Sequence, residues 1–252
     1  MPALTLKDSQ IAYEVHGAGY PVLLFAPGFL SSRIERWRIN PARPGVPQDF
    51  VDPIPVFSPH FRVIAQDIRN AGASRGAVTA QDGWHSYLAD TLSLLDHLGV
   101  TRCHVMGACI GVTFALALAK ERPGLVSALV LQNPIGLGDK ARNRAAIDGE
   151  VAQWVAQVKD FPGLETKELE AFGRRMFAGD FLFAVPRDFL TACNIPMLLM
   201  PGDDTMHPEE VSAEMVRLAP HTEVVKPWKG GEHRDEAIRR AKDFLLAYKP
   251  RA

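Results

Sequence analysis

Neither sign of charge dominates these 252 residues: 28 Lys and Arg stand against 29 Asp and Glu. A formal net charge of -1, spread along the chain, offers no basic face for nucleic acid and no acidic tail. Cysteine is scarce. The three present, Cys103, Cys109 and Cys193, are odd in number and irregular in spacing, so they form neither a disulfide framework nor a zinc ribbon. No apolar run approaches the roughly 18 residues of a membrane span, and the opening Met1-Pro2-Ala3-Leu4-Thr5 lacks a basic region followed by an apolar one. The expectation is a cytoplasmic protein in a reducing compartment whose partner is a small molecule, with no nucleic acid, membrane, metal or cofactor. Oligomeric state is not legible.

What is present is alternation. Short apolar runs at 22–25, 62–65, 103–106, 128–131, 197–200 and 222–225 read as strands, most of them apolar on both faces as buried parallel strands are. Residues 4–7 and 11–15 alternate in polarity and lie close together, which predicts an antiparallel hairpin at the sheet edge. Between strands, 83–98 repeats Trp84, Leu88, Leu92, Leu95 and Leu98 at helical spacing, with Gly99 placed to close it. The segment 110–120 is apolar nearly all round, so it predicts a central buried helix. Six prolines in 40–59 (Pro41, Pro44, Pro47, Pro53, Pro55, Pro59) predict a long loop without regular helix. Residues 135–194 hold amphipathic pieces at 141–159, 166–177 and near Arg187 but no strand-like run. The fold class is therefore α/β, a mostly parallel central sheet flanked by helices. Residues 1–134 and 195–252 form the core, and 135–194 form a helical cap between core strands.

The sharpest local signal is Gly107-Ala108-Cys109-Ile110-Gly111, placed after a strand and before a helix. A strand-turn-helix elbow strains the residue at its tip, and glycines two positions either side let neighbouring backbone pass without Cβ clashes. Here the chain resembles the α/β-hydrolase superfamily, with cysteine where the G-x-S-x-G motif has serine. Pro27-Gly28-Phe29 stands where that superfamily often has His-Gly. The run Asp67-Ile68-Arg69-Asn70-Ala71-Gly72-Ala73-Ser74 is similar to its D-x-R-G-x-G-x-S loop, with Asn70 for a glycine.

The resemblance implies a triad in the order nucleophile, acid, histidine. Cys109 is the nucleophile, and Pro201-Gly202-Asp203-Asp204 resembles the acid turn. Asp204 is the acid because Pro208 follows four residues on, and Asp203 remains the alternative. Gly230-Gly231-Glu232-His233 before the last helix supplies the histidine. His233 would act as general base and acid, with Asp204 orienting it. His207, His85 and His104 are read as surface or packing residues, and Asp67 and Arg69 as braces of their loop. Backbone N–H groups of Phe29 and Ile110 would form the oxyanion hole. Phe29, Trp154, Met176, Phe177 and Phe181 would line an apolar pocket.

A thiol leaves a tetrahedral intermediate more readily than a simple alkoxide does, which favours an activated ester, lactone or thioester with an apolar acyl part. Dienelactone hydrolases, which also place cysteine at this elbow, are a chemical analogy. An acyltransferase using the same acyl-enzyme, and a ligand-binding protein on a hydrolase scaffold, are the competing readings.

Overall fold

The computed structural model describes residues 1–40, 45–46, 51–138 and 140–250, the side chains of 140–142 apart. The chain opens with the expected edge hairpin, β1 (Ala3–Thr5) and β2 (Ser9–His16), paired antiparallel with Leu4 opposite Ile11. Strand β3 (Pro21–Phe25) then enters the sheet interior, and β4 (Arg62–Gln66) joins it in parallel. Further along come β6 (Cys103–Ala108), β7 (Val126–Gln132), β8 (Met197–Met200) and β9 (Glu223–Val224). The order across the sheet is β1-β2-β4-β3-β6-β7-β8-β9, with a two-residue strand, β5 (Arg75–Gly76), paired to β2. From β4 onward all neighbours are parallel.

Alternate residues of the strands feed two cores. Leu23, Phe25, Val105 and Leu129 face α2 (Trp84–His97) and α3 (Ile110–Glu121). Val22, Leu24, Met106 and Val130 face α1 (Pro53–Phe57) and α8 (Gly231–Ala247). Every residue of α3 from Ile110 to Ala119 is buried, as its nearly all-apolar sequence demands. Each such Leu or Phe stabilises the fold by about 1.5–3 kcal/mol through burial.

Helix α1 corrects the expectation of a helix-free stretch at 40–59. Asp52 caps it by accepting from the Ile54 N–H at 3.0 Å, and Pro53 occupies the first turn, where the missing N–H costs nothing. Residues 41–44 and 47–50 of that stretch lie outside the described residues. The strand β5 was not anticipated either. It follows the loop that Asp67 and Arg69 brace: Asp67 accepts from the N–H groups of Ile34 and Ala73, both at 2.8 Å. Arg69 makes a bidentate buried pair with Asp90 at 2.8 Å, and Asn70, in the left-handed region at φ 58°, exchanges two hydrogen bonds with Gly76.

Between β7 and β8 lie α4 (Lys140–Val158), α5 (Thr166–Met176) and α6 (Arg187–Ala192), matching the three amphipathic pieces. They are tied to the core by polar bridges. Ser31 Oγ donates to Gln157 at 2.8 Å, Trp84 Nε1 to the Met176 carbonyl at 2.7 Å, and the Ala80 N–H to Glu168 at 2.6 Å. The Arg75 guanidinium lies 4.2 Å over the Phe161 ring. No helix among the described residues is long and apolar enough to cross a membrane.

Candidate active site

Cys109 stands between the end of β6 and the start of α3 with φ 57° and ψ -121°, a conformation that non-glycine residues adopt only when the surroundings impose it. Those surroundings are visible. The Cys109 N–H donates to the Gln132 carbonyl on β7 at 3.0 Å, and its own carbonyl accepts from Val112 at 3.1 Å. A Cβ on Gly107 would lie 2.1 Å from the Gly111 carbonyl oxygen, and one on Gly111 would lie 2.3 Å from that of Phe25. Both glycines are therefore required for α3 to start directly above β6, which lifts the thiol to the carboxyl end of the sheet.

The imidazole brought to this thiol is that of His207, and this corrects the assignment of His233. His233 lies exposed in the first turn of α8. His207 belongs to the turn after β8, where Asp204 organises the backbone: its Oδ1 accepts from the N–H groups of Met206 and His207, both at 2.9 Å. The same carboxylate takes His207 Nδ1 at 2.9 Å. The ring's other nitrogen, Nε2, is buried without a hydrogen-bond partner, and the ring as a whole acts on the Cys109 thiol. The His207 side chain is 16% exposed, whereas Asp204 remains 49% exposed on its outer side. Asp203, the alternative acid, points outward and pairs with Lys229.

Charge and burial then act together. Burial, the largest single influence, pushes the Cys109 thiol up, but the His207 charge, the interaction with that ring and the N–H groups of Gly28 and Ile110 together outweigh it, so the thiol lies below its ordinary value. Burial pulls His207 down, yet Cys109 and Asp204 raise it to about 9. Burial raises Asp204 less than His207 lowers it, which leaves the carboxyl well below the usual range. The three groups are coupled, each shifted toward its charged form by its neighbour. By contrast, burial pushes Cys103 up to about 12 and also raises Cys193, as inert core thiols require.

Two backbone N–H groups lower the thiol's affinity for its proton. Ile110 is one, and the second is Gly28, one residue before the expected Phe29. Phe29 contributes its ring, stacked on Phe177 at 4.3 Å and held by φ 55° at the start of a short 3-10 turn. The five residues expected to line a pocket, Phe29, Trp154, Met176, Phe177 and Phe181, are all buried in the apolar cluster that Cys109 borders. Their roles divide. Trp154 packs on Phe172 at 5.4 Å as part of the α4–α5 contact, and Phe181 faces a separate surface hollow of about 410 Å³ with Phe183 and Val185. Among the described residues no cluster of His, Cys, Asp and Glu is arranged to hold a metal ion.

The signal for His207 was in the sequence. Asp-x-x-His within one tight turn lets a carboxylate accept from its own downstream N–H groups and from the ring together.

The fold is shared with known proteins. A protein from Agrobacterium fabrum bearing the name carbamate hydrolase RutD is 30% identical over 135 residues, 52% of this chain and 46% of that protein. The chain thus spans about half, or less, of the length of the first curated relatives it matches. Among solved structures, an enol-lactonase from Burkholderia xenovorans superposes with a TM-score of 0.68 at 16% identity, over 97% of this chain and 100% of that one. A thermophilic esterase from Thermogutta terrifontis gives 0.68 at 18% identity, over 99% and 100%. The model of the alpha/beta hydrolase fold matches residues 21–178, more than half of the chain, and the chain belongs to that family.

Proposed function

We propose that the protein hydrolyses an activated ester, lactone or thioester with an apolar acyl part, through a Cys109 acyl-enzyme. The observation that carries this reading is the contact of the Cys109 thiol with His207, itself fixed by Asp204 at 2.9 Å. In the first half-reaction the sulfur attacks the carbonyl carbon. The carbon–oxygen or carbon–sulfur bond to the leaving group breaks, and the proton on His207 Nε2 goes to that leaving group. In the second, His207 takes a proton from water, the hydroxide adds to the thioester carbon, and the carbon–sulfur bond breaks to return the thiolate. Asp204 keeps the Nδ1 tautomer and balances the ring's charge throughout. The N–H groups of Ile110 and Gly28, with Phe29 following in the same loop, face the position where the oxyanion develops.

Residues 135–194 act in this reading as a cap that shields the site from bulk water, and the Phe29–Phe177 stack forms an apolar wall for the acyl group. The thiolate sets the substrate class. Simple alkyl esters revert, because the thiol is the better leaving group, and carbamates of the kind in the relative's name resist attack through nitrogen donation to the carbonyl. Replacing Cys109 by Ala is expected to abolish turnover of p-nitrophenyl esters. Full activity in that variant removes the mechanism.

A further inference from the structure

One cation near the nucleophile has no part in the triad. Arg36 lies in the 3-10 turn Ile34–Trp37, which is pinned by the Ile34 N–H on Asp67 at 2.8 Å and by the buried Trp37. From there its side chain runs back across the oxyanion loop. Its Nε, Cγ and Cδ lie 3.1, 3.2 and 3.3 Å from the point where a Cβ on Gly28 would stand. Gly28 is glycine because of its φ of 119°, and a Cβ there would also press on the arginine stem, which would have to give by a few tenths of an ångström. The N–H of the same Gly28 lowers the Cys109 thiol's affinity for its proton.

We propose that Arg36 is a positioning residue of the reaction, which clamps Gly28 so that its N–H stays on the sulfur and adds a fixed positive charge that favours the thiolate and the oxyanion formed after it. The inference rests on Cys109 being the nucleophile. The charged groups that act on Arg36 are Arg33 and Glu35 from its own turn, Glu150 from α4, and Cys109. On the thiol side the charged group is His207, held at 2.9 Å by Asp204, which has Lys229 3.9 Å away. Burial and Arg33 lower the guanidinium's affinity for its proton, while Glu150 and Cys109 restore part of it, so the thiolate and a cap glutamate share one cation. A guanidinium retains its charge even so.

The test reads the thiolate directly. The rate of Cys109 alkylation by iodoacetamide is followed against pH, with the modified peptide quantified by mass spectrometry. In Arg36→Met the midpoint is expected to rise by about half a pH unit or more, below the shift of a directly contacting charge, and Arg36→Lys should recover most of it. With p-nitrophenyl acetate, kcat should fall about tenfold, less than for loss of a direct oxyanion donor, with KM little changed. A folded Arg36→Met protein with an unmoved midpoint overturns the proposal. Should that variant not fold, Glu150→Gln decides. Removing the competing anion should lower the midpoint, and an unmoved one again overturns it. Alkylation needs no turnover, so a Cys109→Ala enzyme that stays active, beside a shifted Arg36→Met midpoint, would sink the nucleophile assignment and leave this electrostatic one intact.

Discussion

Replacing Gly107 by Ala probes whether the elbow is held by backbone contact. The new methyl would sit 2.1 Å from the Gly111 carbonyl oxygen, 2.3 Å from its carbon and 2.8 Å from the Val112 nitrogen. All three atoms are backbone in the first turn of α3, so no flexible side chain can yield. Relief needs a shift of roughly 1 Å in a helix buried on every side, in an interior packed like an organic crystal. Overpacking of this kind costs about 3 kcal/mol, the upper end of the usual range. At roughly 2–4 °C per kcal/mol for a chain of this size, the melting temperature should fall by about 6–12 °C. A shift of that length also carries Cys109 and the Ile110 N–H off their mark, and activity should drop by about a hundredfold. The assay is a thermal melt beside p-nitrophenyl ester turnover. Gly149→Ala serves as the control, because nothing lies within 4 Å of its added methyl. In mid-helix it should raise stability by about 1 kcal/mol. If Gly107→Ala melts within about 2 °C of the parent and keeps its rate, the contact argument for the elbow is wrong.

The remaining predictions concern protons. His207 has to supply a proton to a poor leaving group, and it is raised to about 9 by Cys109 and Asp204 against its burial. The rate with a simple lactone, whose alkoxide leaves only when protonated, should therefore fall as pH rises through about 9. With a p-nitrophenyl ester, whose phenolate leaves unprotonated, that alkaline limb should be absent, and a shared limb contradicts the assignment. His104, fully buried against Tyr20 with Nδ1 2.9 Å from Ser127 Oγ, is held neutral by burial down to about pH 4. The unfolded chain binds that proton near 6.5, so stability is lost as pH falls from about 6.5 towards 4. His104→Gln should flatten the melting temperature over that window, and an unchanged slope would place the acid sensitivity elsewhere.

Which parts were legible in the sequence follows from the range of the forces involved. Strands such as Cys103–Ala108 and Val126–Gln132 are buried on both faces, and helix α3 on all sides, so their sequences are mostly apolar, interrupted only by buried polar residues such as His104, Thr113 and Ser127. The elbow was legible because steric exclusion at Gly107 and Gly111 is local. Strand β5 was not, since Arg75–Gly76 has no alternation and owes its pairing to Asn70 and Arg69. Helix α1 hid within a proline-rich stretch whose prolines only matter by position. The histidine is the instructive miss. Both His207 and His233 follow strands near the carboxyl end of the sheet, and the choice between them depends on the path of two loops. The Asp204 turn folds back on itself and carries its own imidazole inward, while Gly230 and Gly231 start α8 with His233 facing solvent.

Steady-state turnover of one p-nitrophenyl ester by His207→Ala and His233→Ala, measured side by side on folded proteins, tests the central claim most directly. Loss of the base should cost His207→Ala at least about a thousandfold in kcat, within the range for general acid-base groups, and leave His233→Ala within about threefold of the parent. The reverse ranking would contradict the account.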